Sequence, residues 1–153
     1  MSPTLHNRVE VLHGVNLEML GSRPSEHYGT LTLDELEVQI KRFARELSLE
    51  ARFFRTNHEG EYVEHLHRMG SLVDALILNP GAWTHYSWAI RDALEVTGLP
   101  AVEVHLSDVG AREEWRRHSV LEGLVVATVS GKGPEGYREA LATLSEVLAD
   151  AEG

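Results

Sequence analysis

The sequence predicts a doubly wound α/β fold, in which a five-stranded parallel sheet carries helices on both faces. Short apolar runs alternate with amphipathic stretches along the chain. The connections are crossover segments, which parallel strands require. The third apolar run, Leu76-Ile77-Leu78, shows no alternation with polar residues, which is typical of a strand buried on both faces. These three observations together favour a sheet covered on both sides.

The predicted elements follow in order along the chain. The strands are Val9–Leu12, Ala51–Arg55, Leu76–Leu78, Val102–Val104 and Leu124–Val129.

Capping and periodicity predict the helices. Thr32 and Glu35 form a capping box, after which Leu33, Leu36, Ile40, Phe43 and Leu47 keep helical spacing. Asn57 is the expected cap of a second helix that runs to about Met69. A third helix is expected from about Thr84 to Gly98, and a short helical turn from Arg112 to His118. The last helix carries Tyr137, Leu141, Leu144 and Leu148.

Length and composition limit the class of protein. The 153 residues suit one domain spanning 1–153, and no repeat or linker divides them. A net charge of −10 argues against a nucleic-acid partner. The absence of cysteine excludes disulfides, thiolate catalysis and zinc–thiolate sites. No apolar run approaches the ~20 residues of a membrane span, and the start lacks signal-peptide features, so we expect a cytoplasmic protein.

Polar side chains end several predicted strands and mark the expected site. Asn16, Asn57, Asn79 and His105 follow four separate strands and should converge at one edge of the sheet, where open α/β sheets bind ligands. Glu103 and His105 are two residues apart and share a strand face. Glu103 is therefore placed to orient His105 or to raise its pKa for acid–base chemistry. A structural ion pair is the competing explanation.

A polar loop after the first strand contains an arginine and a tyrosine, Arg23 and Tyr28. A phenol acts as a base near neutral pH only if a cation lowers its pKa.

Other motifs favour ordinary structural roles. Gly131 to Gly136 reads G-x-G-x-x-G but lies in the last unit, with no following strand to supply an acid for a ribose, so turn glycines are the better interpretation. His58, Glu61 and His65 could share a helical face as metal ligands, yet a solvated face is favoured.

Two further groups also favour bland interpretations. Lys132 is the sole candidate for an imine, and its glycine-rich turn is expected to be exposed. Trp83 and Trp88 are expected in the core or at an interface.

Four blocks, taken in order, resemble type II 3-dehydroquinate dehydratases. They are Leu12-His13-Gly14-Val15-Asn16-Leu17 with its continuation to Gly29, Thr56-Asn57-His58-Glu59-Gly60, Asn79 to Ala93, and Glu103 to Ser119. The resemblance covers about Val9 to Tyr137 and implies a flavodoxin-like three-layer sandwich. It also implies cofactor-free and metal-free dehydration of 3-dehydroquinate to 3-dehydroshikimate.

The resemblance further implies roles for individual residues. Tyr28 would remove the C2 proton, Arg23 would favour its phenolate, and Asn16 would hold a water at the enolate. His105, supported by Glu103, would protonate the leaving hydroxyl. The implied substrate-binding set is Asn79, His85, Leu106, Ser107, Arg116 and, from a neighbouring subunit, Asp92, which implies trimers stacked as a homododecamer.

The chain departs from the family pattern at His13, Val15, the segment Arg23-Pro24-Ser25, and Gly110. The family usually has asparagine in place of His13 and proline in place of Val15. It usually has arginine-glutamate-proline in place of Arg23-Pro24-Ser25, and histidine in place of Gly110. None of these departures removes a principal residue of the pattern, but they leave the fine structure of the substrate and the dynamics of the loop open. Three alternatives are weighed: a dehydratase of an amino analogue of dehydroquinate, a non-catalytic α/β binding protein, which the retention of Asn16, Glu103 and His105 with Arg23 and Tyr28 argues against, and a flavodoxin-like cofactor or signalling module. The last would want a phosphate-binding first loop or a phosphoacceptor aspartate, and neither motif is present.

Overall fold

The computed structural model describes residues 6–22 and 30–152, and this part of the chain contains five strands. They are β1 (Arg8–His13), β2 (Glu50–Arg55), β3 (Ala75–Asn79), β4 (Ala101–His105) and β5 (Ala127–Ser130). They form one sheet in the order β2-β1-β3-β4-β5, and every neighbouring pair is parallel. The predicted five-stranded parallel sheet is confirmed.

Four α-helices in the described chain cover the two faces of the sheet. They are α1 (Leu33–Glu46), α2 (Glu59–Met69), α3 (Trp88–Thr97) and α4 (Glu135–Glu152). Helices α1 and α4 pack on one face, where Leu36, Ile40, Leu141 and Leu144 are buried against the strands. Helices α2 and α3 pack on the other face. The fold is the flavodoxin-like three-layer α/β sandwich that the sequence predicts. None of the described helices is long and apolar enough to cross a membrane.

Local sequence signals set several helix ends. The Oγ1 of Thr32 accepts from the Glu35 amide at 3.2 Å, and Glu35 Oε1 accepts from the Thr32 amide at 3.2 Å, so the predicted capping box is present. Helix α3 ends at Gly98, whose φ of 66° is the left-handed conformation that glycine adopts without strain. Tyr137 is completely buried, as the pattern of the last helix predicts.

The predicted start of the third helix is wrong. Residues 81–85 form a 3₁₀ turn, and α3 begins only at Trp88 after an irregular Tyr86. Ser87 starts the helix because its Oγ accepts from the Ile90 amide at 3.1 Å.

The predicted start of the last strand is also wrong. Leu124 donates its amide to Leu121 O at 3.0 Å, so it belongs to a turn and not to the sheet ladder. The ladder begins with the bond from the Val126 amide to Ala101 O at 2.9 Å, one residue before β5 itself. The predicted turn from Arg112 to His118 appears as a 3₁₀ turn over Glu114–Arg117.

Candidate active site

A cavity opens at the carboxyl edge of the sheet, above the ends of β1, β3 and β4. Its lining is both polar and apolar, and it contains Val15, Asn16, Leu17, Leu20, Asn79, Gly81, Ala82, His85, His105, Leu106, Ser107, Val109, Arg112 and Arg116. This is the edge at which open α/β sheets bind ligands. The structure thus brings together seven of the predicted site residues: Asn16, Asn79, His85, His105, Leu106, Ser107 and Arg116.

A buried acid and a buried imidazole lie side by side below the cavity. Glu103 and His105 both point to the α2/α3 face of β4, and Glu103 Oε2 lies 2.6 Å from His105 Nε2. The residues are 1% and 4% exposed, so water does not screen the pair. Ser119 Oγ donates to the other carboxylate oxygen, Glu103 Oε1, at 2.6 Å. Both oxygens of the Glu103 carboxylate are therefore engaged, and the carboxylate fixes the orientation of the His105 ring through its Nε2.

His85 presents a second imidazole to the same cavity, 6.2 Å from the His105 ring centroid to centroid. Its Nδ1 lies 2.6 Å from the carbonyl oxygen of His118, which can only accept, so Nδ1 carries a hydrogen. Burial lowers the pKa of His85, and the charges of His105 and Arg116 lower it further, although the bond to His118 acts in the opposite direction. The neutral imidazole consequently offers Nε2 as an acceptor.

Asn79 ends β3 and is nearly buried, at 6% exposure. Its Oδ1 accepts from the Gly81 amide at 3.1 Å, which fixes the side-chain amide and directs the two Nδ2 hydrogens elsewhere. Gly81 has φ of 66°, and a Cβ there would lie 2.5 Å from Val15 O. Only glycine lets the loops after β1 and β3 approach this closely.

Asn16 starts the short 3₁₀ turn Leu17–Met19 in the left-handed conformation, with φ 69° and ψ 2°. Its amide donates to Asn57 Oδ1 at 2.8 Å. The predicted role of Asn57 as a helix cap is wrong: His58 occupies that position, and Asn57 instead joins the loop after β2 to the loop after β1.

The loop after β4 supplies the basic wall of the cavity. The Ser107 carbonyl oxygen accepts a hydrogen bond from the Gly131 amide at 3.1 Å, which fixes the backbone of Ser107. The guanidinium of Arg116 stacks over Trp115 at 4.1 Å and binds Glu113. Arg112 Nη1 lies 3.5 Å from Ser107 Oγ. A site with these arginines, acceptors and amides suits a small anion that also carries hydroxyl groups.

The family model described as dehydroquinase class II matches residues 7–145. The chain belongs to this family. A relative named 3-dehydroquinate dehydratase from Pelobacter propionicus is 48% identical over 142 residues, which cover 92% of this chain and 95% of the relative. One of the same name from Syntrophotalea carbinolica is 46% identical over 142 residues, with 92% and 96% covered. The crystal structure of type II dehydroquinase from Propionibacterium acnes superposes with a TM-score of 0.87 at 38% identity, covering 92% of this chain and 97% of that one.

Three of the site residues predicted from the resemblance to the dehydroquinase family, Asp92, Arg23 and Tyr28, are not among the described residues that line the cavity. Asp92 lies exposed on α3 and does not line the cavity of the described chain. Its predicted action across a subunit boundary stays a prediction. Arg23 and Tyr28 lie outside the described residues.

Sequence reasoning did not single out Arg112, which the structure places in the wall of the cavity. The arginine lies in the motif Ala111-Arg112-Glu113-Glu114 and lines the cavity. Its spacing of four residues from Arg116 within the predicted helical turn was the available signal. In the structure Arg112 is extended and precedes the 3₁₀ turn, so the two arginines reach the same wall by another path.

The motifs that the sequence assigned to structural roles are mostly placed as expected. Gly131 and Gly133 have positive φ, as turn glycines do. Lys132 is exposed and pairs with Glu139. Trp83 is buried against Tyr62, but Trp88 is 68% exposed, so the core is the wrong location for it.

The expected solvated face of α2 is wrong for His65. Its ring stacks on Phe54 with centroids 3.8 Å apart, and its Nε2 lies 2.6 Å from the buried Glu10. His58 and Glu61 are exposed. The described residues contain no group of three or more histidine, cysteine or acidic side chains arranged to hold a metal ion.

Proposed function

We propose that the residues around this cavity dehydrate 3-dehydroquinate to 3-dehydroshikimate through an enolate. Membership of the family makes the chain a dehydratase of 3-dehydroquinate, a hydro-lyase. The observation that carries the assignment of roles is the buried chain from Ser119 through Glu103 to His105 at the cavity. The relatives do not favour an amino analogue as substrate or a non-catalytic role.

Tyr28 is the proposed base and takes the proton from C2 of the substrate. Arg23 lies five residues before it in the same polar segment and supports this role, because a nearby guanidinium stabilises a phenolate. The carbanion is delocalised onto the neighbouring ketone as an enolate. Asn16, at the rim of the cavity, holds the water that donates a hydrogen bond to the enolate oxygen.

His105 is the proposed acid. It gives a proton to the C1 hydroxyl, which leaves as water while the double bond between C1 and C2 forms. Glu103 supports this step because its carboxylate fixes the ring and stabilises the imidazolium before the proton is given up. The proton on Tyr28 then returns to His105 through solvent, which restores both groups.

The remaining cavity residues hold the substrate. The proposed contacts are Asn79, His85, Ser107 and the backbone at Leu106 for the hydroxyls, and Arg116 for the carboxylate. The neutral His85 accepts from a hydroxyl through Nε2, as its bond to His118 supports. We extend this set by Arg112, which lines the same wall. No metal or cofactor takes part in the proposed route, so turnover should survive chelators and borohydride.

The proposed assembly is a homododecamer built from trimers. Each subunit is proposed to be a single domain, and the protein is proposed to be cytoplasmic. Exposed side chains on one side of the subunit support an interface: Trp88 and Trp115, at 68% and 47% exposure, lie beside a groove with Arg91 and Val120. Asp92 belongs to the same helix as Trp88 and would reach a neighbour's cavity from there. Light scattering that finds a fully active monomer would refute this assembly.

The test of the chemistry follows the ultraviolet absorbance of the enone product with 3-dehydroquinate as substrate. We expect Tyr28→Phe and His105→Ala each to lower kcat by about 10²-fold or more, the range for general acid–base catalysis. His67→Ala, at an exposed histidine of α2, is the matched control and should retain the parental rate. If the parental protein forms no enone, the proposed function is refuted. If His105→Ala remains active, only the assignment of His105 as the acid is refuted.

A further inference from the structure

We propose that Asn57 is a positioning residue for Asn16, whose left-handed backbone conformation it stabilises. The inference rests on the proposed role of Asn16 in holding the enolate water. Asn57 comes from the loop after β2 and does not appear among the described residues that line the cavity. Its effect on the reaction therefore passes through Asn16.

The backbone of Asn16 needs an external restraint. Among the described residues, only Asn16 and Ser48 have a positive φ without being glycine. Asparagine tolerates this conformation better than most residues, often through a local hydrogen bond of its own side chain. Here the Asn16 side chain does not cap the 3₁₀ turn that follows. The side chain is thereby kept for the cavity.

Asn57 supplies this restraint directly. Its Oδ1 accepts the Asn16 amide hydrogen at 2.8 Å, a good distance for such a bond. The amide of a residue at the start of a helical turn has no partner within the turn, so an outside acceptor is needed. Asn57 does this for a turn 41 residues away in the sequence.

Asn57 can act as a fixed acceptor because its neighbour Thr56 is tied down. The Thr56 amide donates to His13 O at 3.3 Å, and its Oγ1 donates to Glu61 at 2.6 Å and accepts from the His58 amide at 3.0 Å. Thr56 is 6% exposed. The loop after β2 is therefore anchored to β1 on one side of Asn57 and to α2 on the other.

The residue before Asn16 makes the restraint more important in this chain. Val15 does not fix its φ as a proline would. The close approach of Gly81 to Val15 limits the loop from the β3 side only. The hydrogen bond from Asn57 restrains the same loop from the β2 side. The two contacts therefore hold Asn16 between the loops that follow β2 and β3, the two neighbours of β1 in the sheet.

The test is a double-mutant cycle of Asn57→Ala and Asn16→Ala, read by enone formation. In the parental background Asn57→Ala should lower kcat about tenfold with a change in KM below about threefold, as expected for losing one hydrogen bond that orients a catalytic group. Asn57→Asp keeps an acceptor oxygen and should stay within about threefold of the parental kcat. Asn7→Ala, at a half-buried asparagine away from the cavity whose side-chain contact to Ser48 O is 3.4 Å, should change nothing.

In the Asn16→Ala background, Asn57→Ala should change kcat less than about twofold, because a positioning residue has nothing left to position. An equal loss in both backgrounds overturns the proposal, since Asn57 would then act independently. Hydrogen exchange of the Asn16 amide gives a readout that does not depend on turnover: it should accelerate in Asn57→Ala and be restored in Asn57→Asp. Unchanged exchange overturns the proposal. Full activity of Asn16→Ala alone, with accelerated exchange in Asn57→Ala, removes the enolate role of Asn16 and leaves the positioning intact.

Discussion

Ser119 donates its hydroxyl to Glu103 at 2.6 Å, although the two residues are 16 positions apart and only Glu103 lies in a strand. The bond joins the segment after the Glu114–Arg117 turn to strand β4 of the sheet. Because it engages the carboxylate oxygen that does not face His105, it determines which oxygen the imidazole meets. The acid side of the site is therefore built from two separate pieces of the chain.

Replacing Ser119 by alanine should weaken the proposed acid without removing it. The change leaves Glu103 Oε1 without its hydroxyl donor in a buried position, so kcat should fall about tenfold while KM changes little. Steady-state kinetics on 3-dehydroquinate measure both constants. Ser71→Ala, at an exposed serine, is the control. A parental kcat in Ser119→Ala would mean that the ring of His105 needs no support from this chain of bonds.

The lowered pKa of His85 predicts how substrate binding depends on pH. Burial favours the neutral ring, so KM should stay constant as the pH falls through 6.5, the ordinary value for histidine. It should rise only at lower pH, where protonation of Nε2 removes the acceptor. In His85→Gln an amide oxygen takes over as an acceptor that does not titrate, and the difference between the two KM profiles isolates His85. Parallel profiles would show that another group titrates.

Gly14→Ala should destabilise the fold at the edge that carries the site. A Cβ at Gly14 would lie 2.3 Å from Pro80 O, and the obstacle is backbone, which yields less easily than a side chain. We expect a loss of about 1–3 kcal/mol in the free energy of unfolding. Gly60→Ala is the matched control because nothing lies within 4 Å of its added Cβ; as a helical glycine it should gain up to about 1 kcal/mol. Urea denaturation compares the two.

The pair of Arg8 and Asp74 should make stability depend on acid pH. Burial by itself would raise the pKa of Asp74, but hydrogen bonds from the Arg8 side chain and amide, together with its charge, hold that pKa below the ordinary value of 3.8. A carboxylate with a lowered folded pKa stabilises the fold above its unfolded value, and this contribution is lost as the pH falls through the folded value. Asp74→Asn should cost about 1 kcal/mol at neutral pH. The urea midpoints of variant and parent should converge below pH 3.8; a constant gap would contradict this.

His13→Asn restores the usual family residue at a position where the structure has adapted to histidine. The ring is fully buried, stacks near Phe53 with centroids 5.9 Å apart, and places Nε2 3.0 Å from Glu37 Oε2. We expect a loss of about 1–2 kcal/mol in unfolding free energy, since a smaller side chain leaves space and removes this partner of Glu37. Turnover of 3-dehydroquinate should be preserved, because His13 does not line the described cavity. A loss of turnover instead would make His13 an adaptation to substrate.

The sequence by itself determined features that depend on near neighbours or on periodicity. The capping box of Thr32 and Glu35 depends on residues three apart, and the pairing of Glu103 with His105 on residues two apart in a strand. The parallel order of apolar runs was enough to place Asn16, Asn79 and His105 at one edge. Local geometry constrains such features strongly, so pattern alone finds them.

The tertiary structure alone decided which distant groups meet. Asn57 had the residue type and position of a helix cap, but the loop after β1 lies next to it, and its Oδ1 accepts the hydrogen bond of the Asn16 amide instead. Leu124 had the apolarity of a strand residue, but its amide was already used in a turn. Trp88 was expected in the core or at an interface, and its 68% exposure in the single chain excludes only the core. For Asn57 and Leu124 the competing partner lies in another segment or in the local turn, and its hydrogen bond outweighs the weak preference that the residue type expresses along the sequence.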